Sequence, residues 1–141
     1  MEKFKDIFTQ TSKQEEELSK KDIKKLKLFE AIPQENQGGD CYEQALHYFQ
    51  RDTGSTLVHG LVNGQGALEG ILYNHAWCEK GSKIIDMTLP KDVQKSLDIN
   101  LYYAIGGIQT TYKYNRKEAM EKLTEYETYG PWEDKLISNK Y

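Results

Sequence analysis

The feature that most constrains the fold is a short turn, Lys80-Gly81, between two segments that contain several β-branched and aromatic residues. Residues 71–79 and 82–88, on either side of it, are predicted to form two antiparallel strands joined by a two-residue hairpin turn. Counting back from this turn places His75 directly opposite Asp86, with Cβ atoms about 4.5–5.5 Å apart. A turn of different length would move Asp86 to the other face of the hairpin. The pattern therefore predicts a hydrogen bond between His75 and Asp86.

Two helices are predicted before the hairpin. Residues 13–32 have apolar side chains at three- to five-residue spacing, which is typical of a helix. A second helix follows a polar, glycine-containing segment, with Asp40 as its N-cap and Cys41 in its first turn. Residues 53–55 end this helix. Its predicted buried face consists of Cys41, Ala45, Leu46 and Phe49.

The rest of the chain predicts more strands and one more helix. Further strands are expected at residues 56–62, 101–105 and 108–114, and a last helix runs from 116 to about 127 with Asn115 as its N-cap. A glycine-rich connection, residues 63–70, joins the first strand to the hairpin. We expect an α+β protein in which residues 1–12 are loosely ordered and residues 13–141 form a single domain, with helices packed on a small antiparallel sheet.

Composition and charge exclude several classes of function. The 141 residues fit one domain with a core of its own, and the net charge of −3 argues against a nucleic-acid partner. No run of 18 apolar residues predicts a membrane span, and the N-terminus lacks the apolar core of a signal peptide. Two cysteines are too few for a secreted disulfide framework. We therefore expect a cytoplasmic protein without a membrane partner.

Cys41, His75 and Asp86 together could carry chemistry. A cysteine at a helix N-terminus lies among backbone amides and at the positive end of the helix dipole, which favour the thiolate form. The same amides can hold an oxyanion during acyl transfer. An imidazole oriented by a carboxylate completes a nucleophilic set. Each residue alone is more often structural, since a helical cysteine is usually a small buried hydrophobe, but the three in this order favour a site.

This order of residues resembles the papain-like and transglutaminase-like cysteine enzymes. Their helix cysteine, strand histidine and next-strand acid are matched here by Cys41, His75-Ala76-Trp77 and Asp86. The resemblance implies a papain-like fold, no cofactor, and acyl chemistry on amide or ester bonds by a peptidase, amidase, deamidase or transglutaminase. Such enzymes often place a glutamine before the nucleophile as an oxyanion donor. Here Gln37 and Gln34 are the candidates, although their spacing differs from that of papain.

A second, narrower resemblance covers about residues 38–132. The chain is similar to small, largely uncharacterised phage and prophage proteins that share the segments Cys41-Tyr42, Leu57-Val58-His59-Gly60, Gly64-Gln65-Gly66, His75-Ala76-Trp77, Asp86, Tyr102-Tyr103-Ala104-Ile105-Gly106 and Tyr129-Gly130-Pro131-Trp132. This resemblance implies a bacterial or phage-infected cell and a protein or peptide-like substrate, which could be a host protein. It leaves the oligomeric state open.

Several neighbouring residues are candidates for lining the site. We expect Tyr42, His59 and Trp77 to contribute to substrate binding, with Trp77 on the same face as His75. His59 could instead be an ordinary, partly buried strand histidine, and Trp77 could be ordinary core. The tail around Trp132 is expected either to pack onto the body of the protein or to be exposed to a partner.

Two other functions remain open from the sequence. A non-enzymatic phage accessory protein that binds a host factor would keep the fold and lose the triad geometry. A metal-binding module built from Cys41, His59, His75 and Cys78 is the weakest alternative. No paired-ligand spacing supports it, and His75 and Cys78 point to opposite faces of a regular strand.

Overall fold

The fold is given by a computed structural model, which describes residues 28–29 and 40–138 except for the side chain of Asp40. Its elements in chain order are helix α1 (Asp40–Arg51), strands β1 (Thr56–Asn63), β2 (Leu72–Lys80), β3 (Lys83–Ile85) and β4 (Leu97–Asp98), helix α2 (Ile99–Gly106), strand β5 (Thr111–Tyr114), and helices α3 (Arg116–Tyr126) and α4 (Asp134–Ile137). Within this part of the chain the strands form a five-stranded antiparallel sheet with helices around it. The predicted α+β class is confirmed.

The strand order β4-β3-β2-β1-β5 places β2 at the centre of the sheet. Alternate side chains of the strands belong to two different apolar clusters, which puts one cluster on each face of the sheet. The cluster on the α1 side includes Ala45, Leu46, Leu57, Cys78 and Ile85. The cluster on the α2 side includes Val58, Tyr73, Trp77, Ile84 and Tyr102.

The hairpin forms with a two-residue turn, but the turn lies one residue later than predicted. Lys80 pairs with Lys83, so Gly81 and Ser82 make the turn. Gly81 has a φ of 60°, in the left-handed region that glycine enters without a steric penalty. The predicted direct opposition of His75 and Asp86 is therefore wrong by two residues. A shift of two keeps every side chain on its predicted face, because strand side chains alternate with a period of two.

Residues 101–105 form helix α2, so the prediction of a strand there is wrong. The Asp98 carboxylate accepts a hydrogen bond from the backbone N–H of Leu101 at 3.1 Å, which caps the start of the helix. Gly107, in the left-handed conformation, ends it. These two end signals outweigh the β preference of the tyrosines and isoleucine between them.

Two other strands are shorter than predicted. The strand expected at residues 82–88 is β3 and ends at Ile85, because Asp86 accepts the backbone N–H of Thr88 and turns the chain. The strand expected at residues 108–114 is β5 and begins only at Thr111, because the N–H of Ile108 still bonds back to α2, at Tyr103.

The helices that hold the sheet agree with the sequence pattern. Helix α1 contains Cys41 in its first turn and ends before residues 53–55, and its predicted buried face is buried. Asp40, the predicted N-cap, is instead the first residue of the helix, so the helix begins one residue earlier than predicted. Asn115 caps α3 as predicted, in a reciprocal capping box with Glu118. Trp132 is 2 % exposed, so the tail packs onto the body of the protein. Leu136 of the short helix α4 is buried as well.

Some predictions fall on the part of the chain that is not described. Segment 1–12, Gln34, Gln37 and most of the predicted helix at 13–32 lie outside the described residues. Two residues of that helix are described, and they form a turn in which Phe29 has a φ of 62°. No helix among the described residues is long and apolar enough to cross a bilayer.

Candidate functional site

His75 and Asp86 are in contact, as predicted. The ring nitrogen Nε2 of His75 lies 2.9 Å from Oδ2 of Asp86. Both side chains are almost completely buried, at 2 % and 1 % exposure. The pairing of β3 with β2 is limited to residues 78–80 of β2. Asp86 lies just beyond the end of β3 and contacts His75 from there. The contact is diagonal across the hairpin rather than between directly opposed residues.

Asp86 is held by more donors than His75 alone. Tyr102 donates its hydroxyl to Oδ2 at 2.7 Å. Thr88 donates its hydroxyl and its backbone N–H to Oδ1, at 2.6 and 3.0 Å. Neither residue was a predicted site residue. The spacing of Asp86 and Thr88 is that of an Asx turn and could have been found in the sequence. Tyr102 could not have been found in this way, because the sequence of residues 101–105 predicts a strand.

Cys41 joins the pair from the first turn of α1. It is 1 % exposed, and it lies close enough to His75 to contribute to the raised pKa of that ring. The second ring nitrogen of His75, Nδ1, is buried and has no hydrogen-bond partner among the described residues. Nδ1 is therefore the atom through which His75 can exchange a proton with the thiol. The structure thus places Cys41 near a His75 that is hydrogen-bonded to Asp86.

The charged forms of His75 and Asp86 stabilise each other. Burial disfavours the charged form of His75, but the Asp86 carboxylate, and after it Cys41, outweigh burial and raise the pKa of His75 to about 10. Burial also favours the neutral acid of Asp86, yet His75, Thr88 and Tyr102 lower its pKa below the usual range. At neutral pH the pair is an imidazolium and a carboxylate.

Trp77 packs beside His75, as predicted. The two ring centroids are 5.9 Å apart with planes 31° from parallel, and Trp77 is completely buried. Its indole N–H donates to Glu79 at 3.0 Å. Trp77 is also part of the apolar core, as one of the two interpretations of the sequence expected, and its contribution to substrate binding stays a prediction. Its ring excludes water from one side of the imidazolium.

Tyr42 ties the start of α1 to the strand that carries His75. Its hydroxyl donates to Oδ1 of Asn74 at 2.6 Å. The amide of Asn74 in turn donates to the backbone carbonyl of Leu136 in α4, at 2.9 Å. Two consecutive residues of α1, Cys41 and Tyr42, thus engage two consecutive residues of β2. Burial raises the pKa of Tyr42, so the phenol stays neutral.

His59 is more deeply buried than the partly buried strand histidine that the sequence favoured. It is completely buried, with its ring centroid 4.7, 5.1 and 4.8 Å from those of Tyr42, Tyr114 and Trp132. No described residue hydrogen-bonds either ring nitrogen. Burial, with the nearby charge of His75, lowers the pKa of His59 to about 3. It is a neutral ring enclosed by three aromatic side chains.

The two cysteines are not bridged. Cys78 is buried and donates its thiol to the backbone carbonyl of Ala45 at 3.2 Å. Burial, with the carboxylates of Asp86, Asp52 and Glu79, raises the pKa of Cys78 to about 12. Within the described ranges, no group of three or more His, Cys, Asp or Glu residues is arranged to hold a metal ion.

Comparisons with known proteins place the chain in no family. No protein-family model matches it, and neither the curated proteins nor the solved structures contain a match. The resemblances to papain-like enzymes and to phage proteins thus remain predictions from the sequence pattern. The chemistry of the protein is indicated by the site itself, in which Cys41 lies near His75 and His75 is hydrogen-bonded to Asp86.

Proposed function

We propose that the protein is a cysteine-dependent hydrolase or acyl transferase of papain-like fold that acts on an amide or ester bond of a protein or peptide-like substrate. One observation carries this proposal. His75 uses Nε2 to bond a buried, multiply anchored carboxylate, which leaves Nδ1 for the Cys41 side chain that acts on the same ring. A structural histidine needs neither an acid held by four donor contacts nor a thiol at a helix N-terminus.

In the proposed reaction the Cys41 thiolate attacks the substrate carbonyl carbon and a C–S bond forms. The carbonyl π electrons move to oxygen, and the backbone amides at the start of α1 hold the resulting oxyanion. The intermediate collapses and expels an amine or alkoxide, which takes a proton from Nδ1 of His75. A thioester remains on Cys41.

Deacylation reverses the proton flow. Water, or an acceptor amine or hydroxyl, gives a proton to Nδ1 of His75 and attacks the thioester carbonyl. Collapse of the second intermediate breaks the C–S bond, releases the acid or the transferred acyl group, and restores the thiolate and the imidazolium. Asp86 stays ionised throughout and keeps Nε2 of His75 bonded.

Access to Cys41 requires a movement. Cys41, His75 and Asp86 are each no more than 2 % exposed, so a substrate carbonyl reaches the sulfur only after a local opening near the start of α1. Such openings are common at sites that close over their substrates. Reactions at Cys41 should therefore be slow with bulky reagents and faster with small ones.

Cys78 makes a sharp test possible, because it is equally buried but bonded to a backbone carbonyl. The alkylation rate by iodoacetamide would be followed against pH for Cys41 alone, in Cys78→Ala, and for Cys78 alone, in Cys41→Ala. At about pH 6.5 we expect Cys41 to react at least about 10-fold faster than Cys78. Adding His75→Gln should slow Cys41 by about 10-fold and leave Cys78 unchanged.

The Cys78 rate also reports on folding, since an unfolded His75→Gln variant would expose both thiols. A Cys41 rate that does not respond to His75→Gln while Cys78 stays protected would reject the proposal. A Cys41 pH profile identical to that of Cys78 would reject it too.

A second function, a phage accessory protein that binds a host factor, is favoured by one observation. Cys41 is buried, as expected of a protein whose triad no longer reacts. Trp132, the aromatic residue considered for such a surface, is buried as well and is not available to a partner. A host protein captured from bacterial lysate equally well by wild type and Cys41→Ala, together with an unreactive Cys41, would select this function.

A further inference from the structure

The two oxygens of Asp86 have different partners. Among the described residues, Oδ1 accepts hydrogen bonds from Thr88, through its hydroxyl and its backbone N–H. Oδ2 accepts from Nε2 of His75 at 2.9 Å and from the hydroxyl of Tyr102 at 2.7 Å. Thr88 is thus sufficient to fix the orientation of the carboxylate. Tyr102 has a different effect, because it bonds the oxygen that His75 uses.

Tyr102 is held firmly in this position. It is completely buried, and its ring lies 5.1 Å from that of Phe29 and 5.4 Å from that of Trp77. Helix α2, which carries it, is capped at one end by Asp98 and at the other by Gly107. The phenol cannot turn away from Asp86 without disturbing this packing, so its hydrogen bond to Oδ2 is a fixed part of the site.

We infer that Tyr102 is a positioning residue that shares Oδ2 of Asp86 with His75 and limits how tightly the carboxylate holds the imidazolium. Two donors on one oxygen draw on the same lone-pair density, so removing one strengthens the bond to the other. The inference rests on the proposed function, in which His75 must release a proton to the leaving group. A carboxylate without Tyr102 would retain that proton more strongly.

The other titratable groups around the pair do not duplicate this effect. Cys41 of α1 acts on His75, while His75 acts by charge on His59 of β1 and Asp86 acts by charge on Tyr73 and Cys78 of β2. His59, Tyr73 and Cys78 make no hydrogen bond to the carboxylate in the described structure. Tyr73 is therefore a matched control, since it is a buried tyrosine of the same apolar cluster that lies near Asp86 without bonding it.

The test is an NMR titration of the His75 ring nitrogens, from about pH 6 to about pH 11, in wild type, Tyr102→Phe and Tyr73→Phe. We expect Tyr102→Phe to raise the pKa of His75 by roughly half a unit to one unit, and Tyr73→Phe to leave it in place. In wild type the hydroxyl proton of Tyr102 should exchange slowly with water and be lost in Asp86→Asn.

An unchanged or lowered His75 pKa in folded Tyr102→Phe would overturn the inference. If that variant does not fold, the absence of a slowly exchanging Tyr102 hydroxyl proton in wild type would overturn it instead. Neither measurement uses turnover. A Cys41 that fails to react would reject the proposed function and leave the effect of Tyr102 on His75 measurable, so the two failures are distinguishable.

Discussion

A fully buried histidine whose ring nitrogens have no hydrogen-bond partner among the described residues is costly for a fold. His59 is in this position, enclosed by Tyr42, Tyr114 and Trp132. An imidazole that loses its water contacts without replacement costs about 1–3 kcal/mol. The folded state keeps His59 neutral, whereas His59 of the unfolded chain can bind a proton. The free energy of unfolding therefore decreases at pH values where this protonation occurs. The pKa of His59, lowered to about 3, makes acid destabilising from about pH 6.5 downward.

His59→Phe should therefore stabilise the protein by about 1–2 kcal/mol at neutral pH, since the ring keeps its aromatic contacts and loses its unbonded nitrogens. The advantage over wild type should widen as the pH falls from about 7 to about 4. Urea unfolding at several pH values measures both effects. A variant that is less stable than wild type, with a parallel pH dependence, would show that His59 has a bonding partner after all.

The pair of His75 and Asp86 has the opposite pH dependence. The raised pKa of His75 means that its stabilising charge is fully present below about pH 6.5 and is lost as the pH rises through about 10. Asp86→Asn should cost about 3–5 kcal/mol near pH 7, because it leaves a buried imidazolium without its counter-charge. The stability gap between wild type and this variant should shrink between pH 6.5 and 10. A gap that stays constant across this window would mean that His75 is neutral when folded.

Helix α2 carries Tyr102, so the cap that stabilises this helix also supports the site. Asp98→Ala should destabilise the protein by about 1 kcal/mol through loss of the cap. Lys91→Ala, at an exposed position outside the helix, is the control and should have little effect. Denaturant unfolding measures both. Equal stability of the two variants would mean that the bond from Leu101 to Asp98 contributes nothing.

Elements with strong end signals were predictable, and those without them were not. The residues after Arg51 mark the end of α1, and Asn115 marks the start of α3. Strands β1 and β2 are marked by their β-branched and aromatic residues. The signals of α2, Asp98 and Gly107, are present in the sequence too, but its tyrosines and isoleucine favour a strand. The hairpin turn shifted by one residue because Gly81, at positive φ, suits the first turn position, as in type I′ and II′ turns.

The C-terminal tail around Trp132 packs against the α1 side of the sheet and stabilises it. Trp132 packs between Tyr114 and His59 and donates its indole N–H to Thr128 at 2.8 Å. Trp132→Ala should destabilise the protein by about 3–5 kcal/mol. Thermal unfolding compared with Tyr129→Ala, at a more exposed tail position, measures the difference. A small and equal loss in both variants would show that the tail is not part of the core.

The site was predictable from the sequence only where the chain itself imposes proximity. The tight hairpin brings His75 near Asp86 independently of the rest of the fold. The predicted contact is therefore present although the predicted register is wrong by two residues. Cys41 lies more than thirty residues away, and nothing local requires α1 to direct its N-terminus toward β2. The bond from Tyr42 to Asn74 contributes to that approach, and it is visible only in three dimensions.

The central claim is that Cys41 is a nucleophile assisted by His75, and the most direct measurement is acylation with p-nitrophenyl acetate, a small acyl donor. Intact-mass and peptide analysis should find one acetyl group on Cys41, forming quickly in wild type and turning over with time. His75→Gln should suppress both its formation and its loss, and Cys41→Ala should abolish it. Acetylation of Cys41 no faster than that of Cys78, or independent of His75, would contradict the account.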